Sequence, residues 1–297
     1  MAISTVAGIN AAIAAGKSYK TSWLKTTTGA AYTAGRWYNT YMMAGQPGWS
    51  GAAAYQGTQF TSYQLVGSGA TPCPGKISIG ENVSPDVRHL VNIEMATIVA
   101  LGVPSWLMLV DQLLYYPVNL QVTNQAMTNS VSLPRYTDGI GVRMFLEITA
   151  TQGAAASNLN SATFLYTNSA DVANRTIPGT VTTTGAAIVP HITHSGVALN
   201  NFGPFIPLAA GDLGVKSVQN FGLNVGDGGT GTAALVLCKP LATIPLVAIN
   251  TATSRDYVFN IPSMPVVQDG ACLSFLLCPG GAVNATSFFG TLDFVWG

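Results

Sequence analysis

Two glycine-rich runs of the chain match phosphate-binding motifs in outline. Residues 226–231 satisfy the dinucleotide fingerprint G-x-G-x-x-G letter for letter, but residues 233–238 after them have the composition of a strand. A pyrophosphate site needs a helix N-terminus at that point, so we interpret the run as a hairpin loop. Residues 69–76 imitate a P-loop, with one residue too many between the glycines and Ile77 where a magnesium-binding hydroxyl belongs. We interpret this second run as a bend.

Side chains that could catalyse a reaction or bind a metal are few. His191 and His194 could meet on one helical turn, but no carboxylate or cysteine lies near them in the sequence, and metal sites recruit a third or fourth ligand. Glu81, Glu94 and Glu147 are the only glutamates, a thin supply for the paired carboxylates of a glycosidase. We therefore predict no catalytic residue, no metal site and no cofactor, and hence a protein that is not an enzyme.

The four cysteines are Cys73, Cys238, Cys272 and Cys278, and no C-x-x-C pair occurs among them. Such spacing fits no zinc module. We expect reduced, partly buried thiols, the usual state of sparse cysteines in proteins made in a reducing compartment. A disulfide that forms after assembly stays an open alternative.

The chain carries very little charge. Only 8% of its residues are charged, whereas an ordinary soluble domain has roughly 25%. With 48% hydrophobic residues, a mean hydropathy of +0.35 and a formal net charge of +0, it is poorly suited to exist as a monomer. The balance of 12 basic and 12 acidic residues also disfavours direct contact with nucleic acid. We expect a subunit that buries much of its surface against other subunits.

No segment predicts insertion into a membrane. Residues 1–16 lack the basic flank and compact apolar region of a signal peptide. The apolar stretch 95–110 is shorter than the roughly 20 residues of a membrane span, and Gly102 and Pro104 interrupt it. We predict two buried strands there, joined by a turn.

Composition divides the chain into two parts. Residues 1–86 are rich in glycine, alanine and aromatic residues without sustained periodicity, apart from a short helix predicted from Ser4 to Ala15. Because large side chains on irregular backbone need a surface to pack on, we predict an extended N-terminal arm that lies on a partner. The candidate interface residues of this arm are Trp23, Arg36, Trp37, Tyr38, Tyr41 and Trp49.

Residues 87–297 consist of short β-branched or alternating runs separated by turn residues, which predicts an all-β body. The clearest alternation, from Val142 to Ile148, places Arg143 and Glu147 near one face and mostly apolar residues on the other. Many short strands at near-regular spacing favour a β-sandwich or jelly roll. The predicted strands are Leu90–Val99, Trp106–Leu114, Val118–Thr123, Ile140–Thr149, Ala162–Tyr166, Ala187–Ile192, Ser217–Asn224, Ala233–Cys238, Ile244–Ile249, Tyr257–Ile261, Ala271–Leu277 and Thr286–Val295.

Three runs of residues resemble those of virion structural proteins of tailed bacteriophages that are encoded near the head genes. They are residues 1–8, 135–142 and 207–218, and the resemblance extends over most of the chain from about His89 onward. These runs specify turns and strand entries rather than catalytic signatures. The resemblance therefore implies a shell component and supplies no active-site residue.

Resemblance and composition together lead us to expect a capsid decoration or cement protein on the virion surface, which clamps neighbouring capsid subunits. The expected partners are the major capsid protein and further copies of this chain, in a dimer or trimer. One alternative is a major capsid or tail protein, although the long amphipathic helix of the common major capsid type is missing from the sequence. The other alternative is a receptor protein that binds or cleaves host polysaccharide.

Overall fold

The computed structural model describes residue 3 and the ranges 5–28, 32–48, 55–67, 73–99, 102–150, 162–179, 189–192, 203–223, 231–260 and 263–297. Within them the chain is nearly all β, which confirms the predicted fold class. These ranges contain one α-helix, α1 (Val6–Ala14), and one short 3-10 helix (Thr40–Met42). The strands are β1 (Ser18–Thr26), β2 (Tyr38–Asn39), β3 (Ala44–Gln46), β4 (Tyr63–Gln64), β5 (Arg88–Ala96), β6 (Ser105–Asn119), β7 (Asn124–Ala126), β8 (Arg143–Ala150), β9 (Thr163–Asn168), β10 (Arg175–Thr176), β11 (Val215–Gly222), β12 (Thr232–Leu246), β13 (Thr253–Asp256), β14 (Leu273–Pro279) and β15 (Ser287–Trp296).

The strands form three antiparallel sheets. The central sheet has the order β2-β14-β6-β12-β8, with β4 paired to β6. The outer five-stranded sheet has the order β13-β5-β15-β1-β3, and the outer four-stranded sheet has the order β10-β9-β11-β7. Strands β6 and β12 are 15 residues long each and pair from Ser105 to Asn119, so they form the spine of the molecule.

The segment 189–192 joins the two edges of the central sheet. His191 forms an antiparallel bridge with Tyr38 of β2, and Ile192 forms one with Glu147 of β8. The backbone hydrogen bonds that make these bridges are 2.9 Å from the Ile192 nitrogen to the Trp37 oxygen and 2.9 Å from the Ile148 nitrogen to the His191 oxygen. The central sheet therefore closes into a ring. Both of its edge strands, β2 and β8, are paired where segment 189–192 passes between them.

The central sheet packs into three apolar cores, two on one face and one on the other. One face packs against both outer sheets: Leu107 of β6 and Ile244 of β12 contact the five-stranded sheet, while Tyr116 and Leu235 of the same strands contact the four-stranded sheet. The other face encloses a third cluster inside the ring. Because alternate residues of a strand point to opposite faces, the long spine strands contribute to all three cores.

Two pairs of predicted strands are single strands in the structure. Strand β6 contains the prediction 106–114 but only the first two residues of 118–123, and residues 120–123 lie outside the strands. Strand β12 contains the prediction 233–238 and the first three residues of 244–249, and residues 247–249 lie beyond its end. Both strands contain a proline, and β-bulges next to Cys238 and after Pro240 keep them paired along their length. The predicted strand at 257–261 is wrong, because β13 ends at Asp256 and a turn follows it.

The predicted helix near the N-terminus is confirmed, with a shifted start. The helix α1 runs from Val6 to Ala14 instead of from Ser4 to Ala15, and its N-cap is Thr5. The Thr5 side chain accepts a hydrogen bond of 3.0 Å from the Gly8 nitrogen, as N-cap residues do. Strands β5 and β6 also lie where two buried strands were predicted around residues 95–110.

The prediction of an extended arm over residues 1–86 is wrong for the described part of that segment. Strand β1 pairs with β15 over nine residues, from Ser18 to Thr26, and lies inside the five-stranded sheet. Strands β2 and β4 belong to the central sheet. The first 86 residues therefore complete both large sheets instead of lying apart from the body.

Candidate interaction surface

The residues predicted to bind a partner lie inside the chain's own cores. Trp23, Tyr38 and Tyr41 are each 2% exposed and Trp37 is 5% exposed. Arg36 is half-buried, and Trp49 lies outside the described residues. The interface assignment is therefore wrong for these four aromatic residues. Trp23 of β1 and Tyr38 of β2 pack between sheets, and Trp37 before β2 and Tyr41 of the 3-10 helix pack in the cluster inside the ring.

Close contacts show what these aromatic residues do. The Trp23 ring lies 4.7 Å from the Phe275 ring and joins the five-stranded sheet to the central one. The Tyr38 ring stacks on Tyr32 at 4.1 Å, and its hydroxyl accepts a hydrogen bond of 2.8 Å from the Thr33 nitrogen. Aromatic side chains bury large areas and dominate the packing of a core, so their abundance near the N-terminus reflects internal packing.

A buried cluster of polar side chains occupies the ring of the central sheet. Glu147 is fully buried, and its Oε2 accepts hydrogen bonds from Asn39 Nδ2 at 2.8 Å and from the Tyr55 hydroxyl at 2.9 Å. Gln112 Nε2 donates to Ser274 Oγ at 2.7 Å and to Asn39 Oδ1 at 3.2 Å. Burial raises the pKa of Glu147 to about 8, although the hydrogen bonds from Asn39 and Tyr55 oppose this shift.

The prediction that Arg143 and Glu147 lie on one face of a strand is confirmed, but the sequence did not indicate that this face is buried inside a closed ring. Arg143 and Glu147 do share one strand face, and Met144, Leu146 and Ile148 point to the opposite core. The face with Glu147 is turned into the closed ring, where Phe145 packs in the third cluster. No residue spacing within β8 indicates that segment 189–192 will cover it.

Two buried cations stabilise the surroundings of the ring. Arg135 donates to Asp111 through Nε at 2.8 Å and through Nη2 at 2.7 Å, and both side chains are almost fully buried. Lys25 is also buried, and its ammonium donates to the carbonyl oxygens of Pro47 at 2.9 Å and Gly75 at 3.1 Å. Burial lowers the pKa of Lys25 to about 8. The bonds of Lys25, together with a bond of 2.9 Å from Arg135 Nη2 to the Leu65 oxygen, hold irregular segments of the first 86 residues against the sheets.

The structure corrects the expectation of four reduced cysteines. Cys73 and Cys272 form a disulfide with a Cα–Cα distance of 6.0 Å, although 199 residues separate them in the sequence. The bridge between Ile77 and Leu273 brings the two segments together. Cys238 and Cys278 are buried free thiols, as expected.

One end of the molecule is built from four segments that contain no charged residue. They are the charge-free stretches 26–35, 95–110, 240–254 and 270–292, of which the structure describes 26–28, 32–35, 95–99, 102–110, 240–254 and 270–292. Backbone hydrogen bonds join them there. The Thr27 nitrogen donates to the Thr286 oxygen at 2.9 Å, the Asn250 nitrogen to the Thr97 oxygen at 2.9 Å, and the Gly280 nitrogen to the Pro104 oxygen at 2.7 Å. We call this surface the uncharged end.

The uncharged end exposes large apolar side chains. Trp106 is 50% exposed, Ile98 65%, Val247 66% and Ile249 36%. Trp106 lies on the same face of β6 as Met108 and Val110, which pack in the cluster inside the ring. Trp106 is nearer the start of the strand than these two residues, and the described chain leaves half of it exposed. Exposed tryptophan and aliphatic side chains on charge-free segments are typical of the core of a protein interface.

The described residues offer little to support catalysis. They contain no group of three or more His, Cys, Asp or Glu side chains placed to hold a metal ion. His89 and His191 are buried, while His194 and most of the run 226–231 fall outside the described ranges. No helix in the described part of the chain is long and apolar enough to cross a membrane.

Comparisons with known proteins supply no relative. No protein-family model matches the chain, and neither the curated proteins nor the solved structures contain a significant match. The functional argument therefore rests on the sequence and on the geometry above.

Proposed function

We propose that the chain is a non-catalytic structural protein of a tailed-bacteriophage particle, of the decoration or cement type. The observation that carries this proposal is the uncharged end, where Trp106, Ile98 and Val247 are exposed together. The resemblance of three sequence runs to phage head proteins supplies the class of particle. The low charge of the whole chain, 8% of residues, also favours a subunit with covered surfaces.

In this proposal the rigid β body carries the interface, and the uncharged end docks on the joint between capsid subunits. Apolar burial contributes roughly 25 cal/mol per Å², so an interface of about 1,600 Å² gives appreciable binding even after the cost of association. Many copies on a closed shell add up, because each copy resists the separation of the subunits beneath it. The closed ring and the buried aromatic contacts keep the docking surface in one shape.

Co-sedimentation with assembled shells tests the proposal. The full chain is mixed with particles of the major capsid protein from the same genome, and the pelleted fraction is measured. We expect the wild type to pellet with the shells, and Trp106→Asp and Val247→Asp to lose binding by at least roughly tenfold, as central interface residues do.

Phe259→Asp is the matched control. Phe259 is the most exposed large apolar side chain among the described residues, at 72%, and it lies toward the opposite end of the five-stranded sheet, where the Tyr257 nitrogen bonds to the Val91 oxygen. This variant should bind shells like the wild type. If the wild type stays in the supernatant, or if the Trp106 and Val247 variants pellet undiminished, the proposal is wrong.

A further inference from the structure

A pocket of about 310 Å³ lies beside the N-terminus of α1, where this helix meets the start of β5 and the residues after β13. Pockets that bind small molecules have volumes of roughly 300–1,000 Å³, so it has the size of a small ligand site. Its apolar walls are Ile3, Val6, Ile9, Val258 and Met264. Among the described residues no lysine, arginine or carboxylate lines it, so its chemistry depends on the few polar groups that face it.

The His89 side chain points from β5 toward this pocket. His89 pairs with Val295 of β15, and the adjacent pair, Leu90 with Phe294, packs in the core between the five-stranded and central sheets. Successive residues of a strand point to opposite faces, so His89 and Val295 lie on the outer face of the sheet. The helix α1 packs against β15, and its residues line the pocket together with His89. His89 is therefore only 5% exposed, although it faces away from the core.

Neither ring nitrogen of His89 has a hydrogen-bond partner of ordinary geometry in the described part of the chain. Burial lowers the pKa of His89, and the backbone of Met264 lies close enough to oppose this shift only in part. Buried polar atoms are normally hydrogen-bonded, and each exception calls for a physical explanation. A ligand in the pocket would supply the missing partner. Tyr257 also lines the pocket but packs in the core between the sheets, so its hydroxyl is not assigned to the ligand.

The start of α1 adds donors of its own. The first four N–H groups of a helix have no acceptor within it, and here the Thr5 side chain accepts one of them, from the Gly8 nitrogen at 3.0 Å. The Val6 and Ala7 amides are left without a helical acceptor at the positive end of the helix dipole, and no acidic residue in the first turn neutralises this end. Thr5 and Val6 line the pocket. The helix end and His89 together therefore favour a ligand that accepts hydrogen bonds and carries negative charge.

We propose that this pocket binds a monocarboxylate with a short aliphatic chain. One carboxylate oxygen accepts from the amides at the start of α1, and the other accepts from the protonated ring of His89. The aliphatic chain packs on the apolar walls. A phosphate group fits less well, because the lining supplies one histidine and no lysine or arginine, and the apolar walls offer no donor to the remaining oxygens.

The pocket adds a binding activity to the proposed structural role and does not depend on it. It is formed by α1, the start of β5 and the residues after β13, none of which belongs to the uncharged end. Carboxylate binding and co-sedimentation with shells can therefore fail separately.

Isothermal titration calorimetry of the full chain with sodium hexanoate at pH 6 is the test. We expect saturable binding with a dissociation constant on the order of 1 mM. 1-Hexanol has the same chain without the charge and should bind at least roughly tenfold more weakly. Inorganic phosphate has the charge without the chain and should bind at least roughly tenfold more weakly as well.

The affinity for hexanoate should depend on pH through His89. The protonated ring has a donor on both nitrogens and a charge opposite to that of the ligand, so binding draws a proton onto it. Hexanoate stays ionised above pH 6, so we expect its affinity to fall by up to roughly tenfold per pH unit between pH 6 and pH 8. In His89→Gln the affinity should be roughly tenfold weaker at pH 6 and constant over this range.

Other charged groups near His89 are unchanged in this comparison. The charged residues close to it in strand register or in sequence are Lys17, Lys20, Asp86, Arg88, Asp256 and Asp293, and α1 contains none. All of them remain in His89→Gln, so the difference between the two pH profiles isolates His89.

A second variant tests the location without changing His89. Val6→Asp places a carboxylate in the pocket at the first turn of α1, where an acidic side chain stabilises a helix. It should repel hexanoate and weaken binding by at least roughly tenfold. Leu213→Asp makes the same kind of change at a side chain that is 62% exposed and lies outside the pocket, and it should bind like the wild type.

The proposal is overturned if hexanoate at about 10 mM gives no saturable binding heat at pH 6. It is also overturned if 1-hexanol binds as tightly as hexanoate, or if inorganic phosphate binds and hexanoate does not. Undiminished binding by both His89→Gln and Val6→Asp would exclude this pocket as the site. If His89→Gln fails to fold, Val6→Asp alone decides the location.

Discussion

At the scale of single residues, the chain uses its few charged groups internally as well as on its surface. Glu147, Asp111, Arg135 and Lys25 are all buried, although only 8% of the residues are charged. Buried charges cost free energy unless they are paired or neutralised. The pair Asp111–Arg135 is an example of the first solution, and the raised pKa of Glu147 is an example of the second.

Glu147 should make the stability of the protein depend on pH. Its pKa is about 8 in the folded chain, above the ordinary value of 4.5, so the folded state holds a proton that the unfolded state loses. The stabilising contribution is therefore complete below pH 4.5 and is lost as the pH rises toward 8, by up to about 1.4 kcal/mol per pH unit. In Glu147→Gln this dependence should disappear.

Urea unfolding of both proteins at several values between pH 5 and pH 8 measures the effect. The difference between their free energies of unfolding isolates Glu147 from other titrating groups, including His89, whose pKa burial lowers. Parallel curves for the two proteins over this range would contradict the assignment.

The pair Asp111–Arg135 should contribute strongly to folding. In Asp111→Asn the buried Arg135 guanidinium loses its counter-charge, and we expect a loss of about 3–5 kcal/mol in the free energy of unfolding. Asp171→Asn is the control, because the Asp171 side chain is 75% exposed in its pair with Lys216 and should cost about 0.5 kcal/mol or less. Denaturant unfolding measures both values, and equal losses would show that burial does not decide the contribution.

At the scale of elements, strand β1 shows where sequence reasoning stops. The inward-facing residues of β1 include Thr21, Trp23 and Lys25, and Leu24 faces outward, so apolar and polar residues do not alternate cleanly. Lys25 can be buried only because three distant carbonyl groups, those of Met43, Pro47 and Gly75, accept its hydrogen bonds. Hydropathy patterns contain no information on such partners.

Strands with clean patterns were predictable, and contacts between distant segments were not. The runs around β8 and β15 were located to within a few residues from alternation alone. The uncharged end could have been suspected from its four charge-free segments, but their meeting depends on sheet order. The exposed Trp106 is a case in point, since its sequence neighbours on β6 are buried.

The disulfide between Cys73 and Cys272 should link an irregular segment to the central sheet with a measurable effect. Without reductant, the denatured protein should show two reactive thiols, those of Cys238 and Cys278, and four after reduction. Cys73→Ser should lower the free energy of unfolding by about 2–5 kcal/mol, because the crosslink restricts the unfolded chain. Four reactive thiols before reduction would contradict the pairing.

At the scale of the whole molecule, the first 86 residues join the body into one cooperative unit. Strand β1 lies between β15 and β3, and β2 supplies one side of the closed ring. The core between the central and five-stranded sheets contains Trp23, Tyr32 and Ile77 from this segment. Removing the first 86 residues would expose apolar surface on the remaining sheets. A detachable arm could be deleted without unfolding the body, whereas this segment could not.

Deletion of residues 1–86 should therefore prevent folding of the remaining chain. Strand β15 would lose the partner to which it pairs from Ser287 to Val295, and an exposed, unpaired edge of this length promotes aggregation. Deletion of residues 1–16 is the control: it removes α1, where Ile9 and Ala12 are the buried residues, and leaves β1 in place. We expect the shorter deletion to give a soluble protein with a cooperative thermal transition, and the longer deletion to give aggregates without one. A soluble 87–297 fragment with a wild-type-like transition would show that the body folds without β1, and the sheet order described above would then not explain its stability.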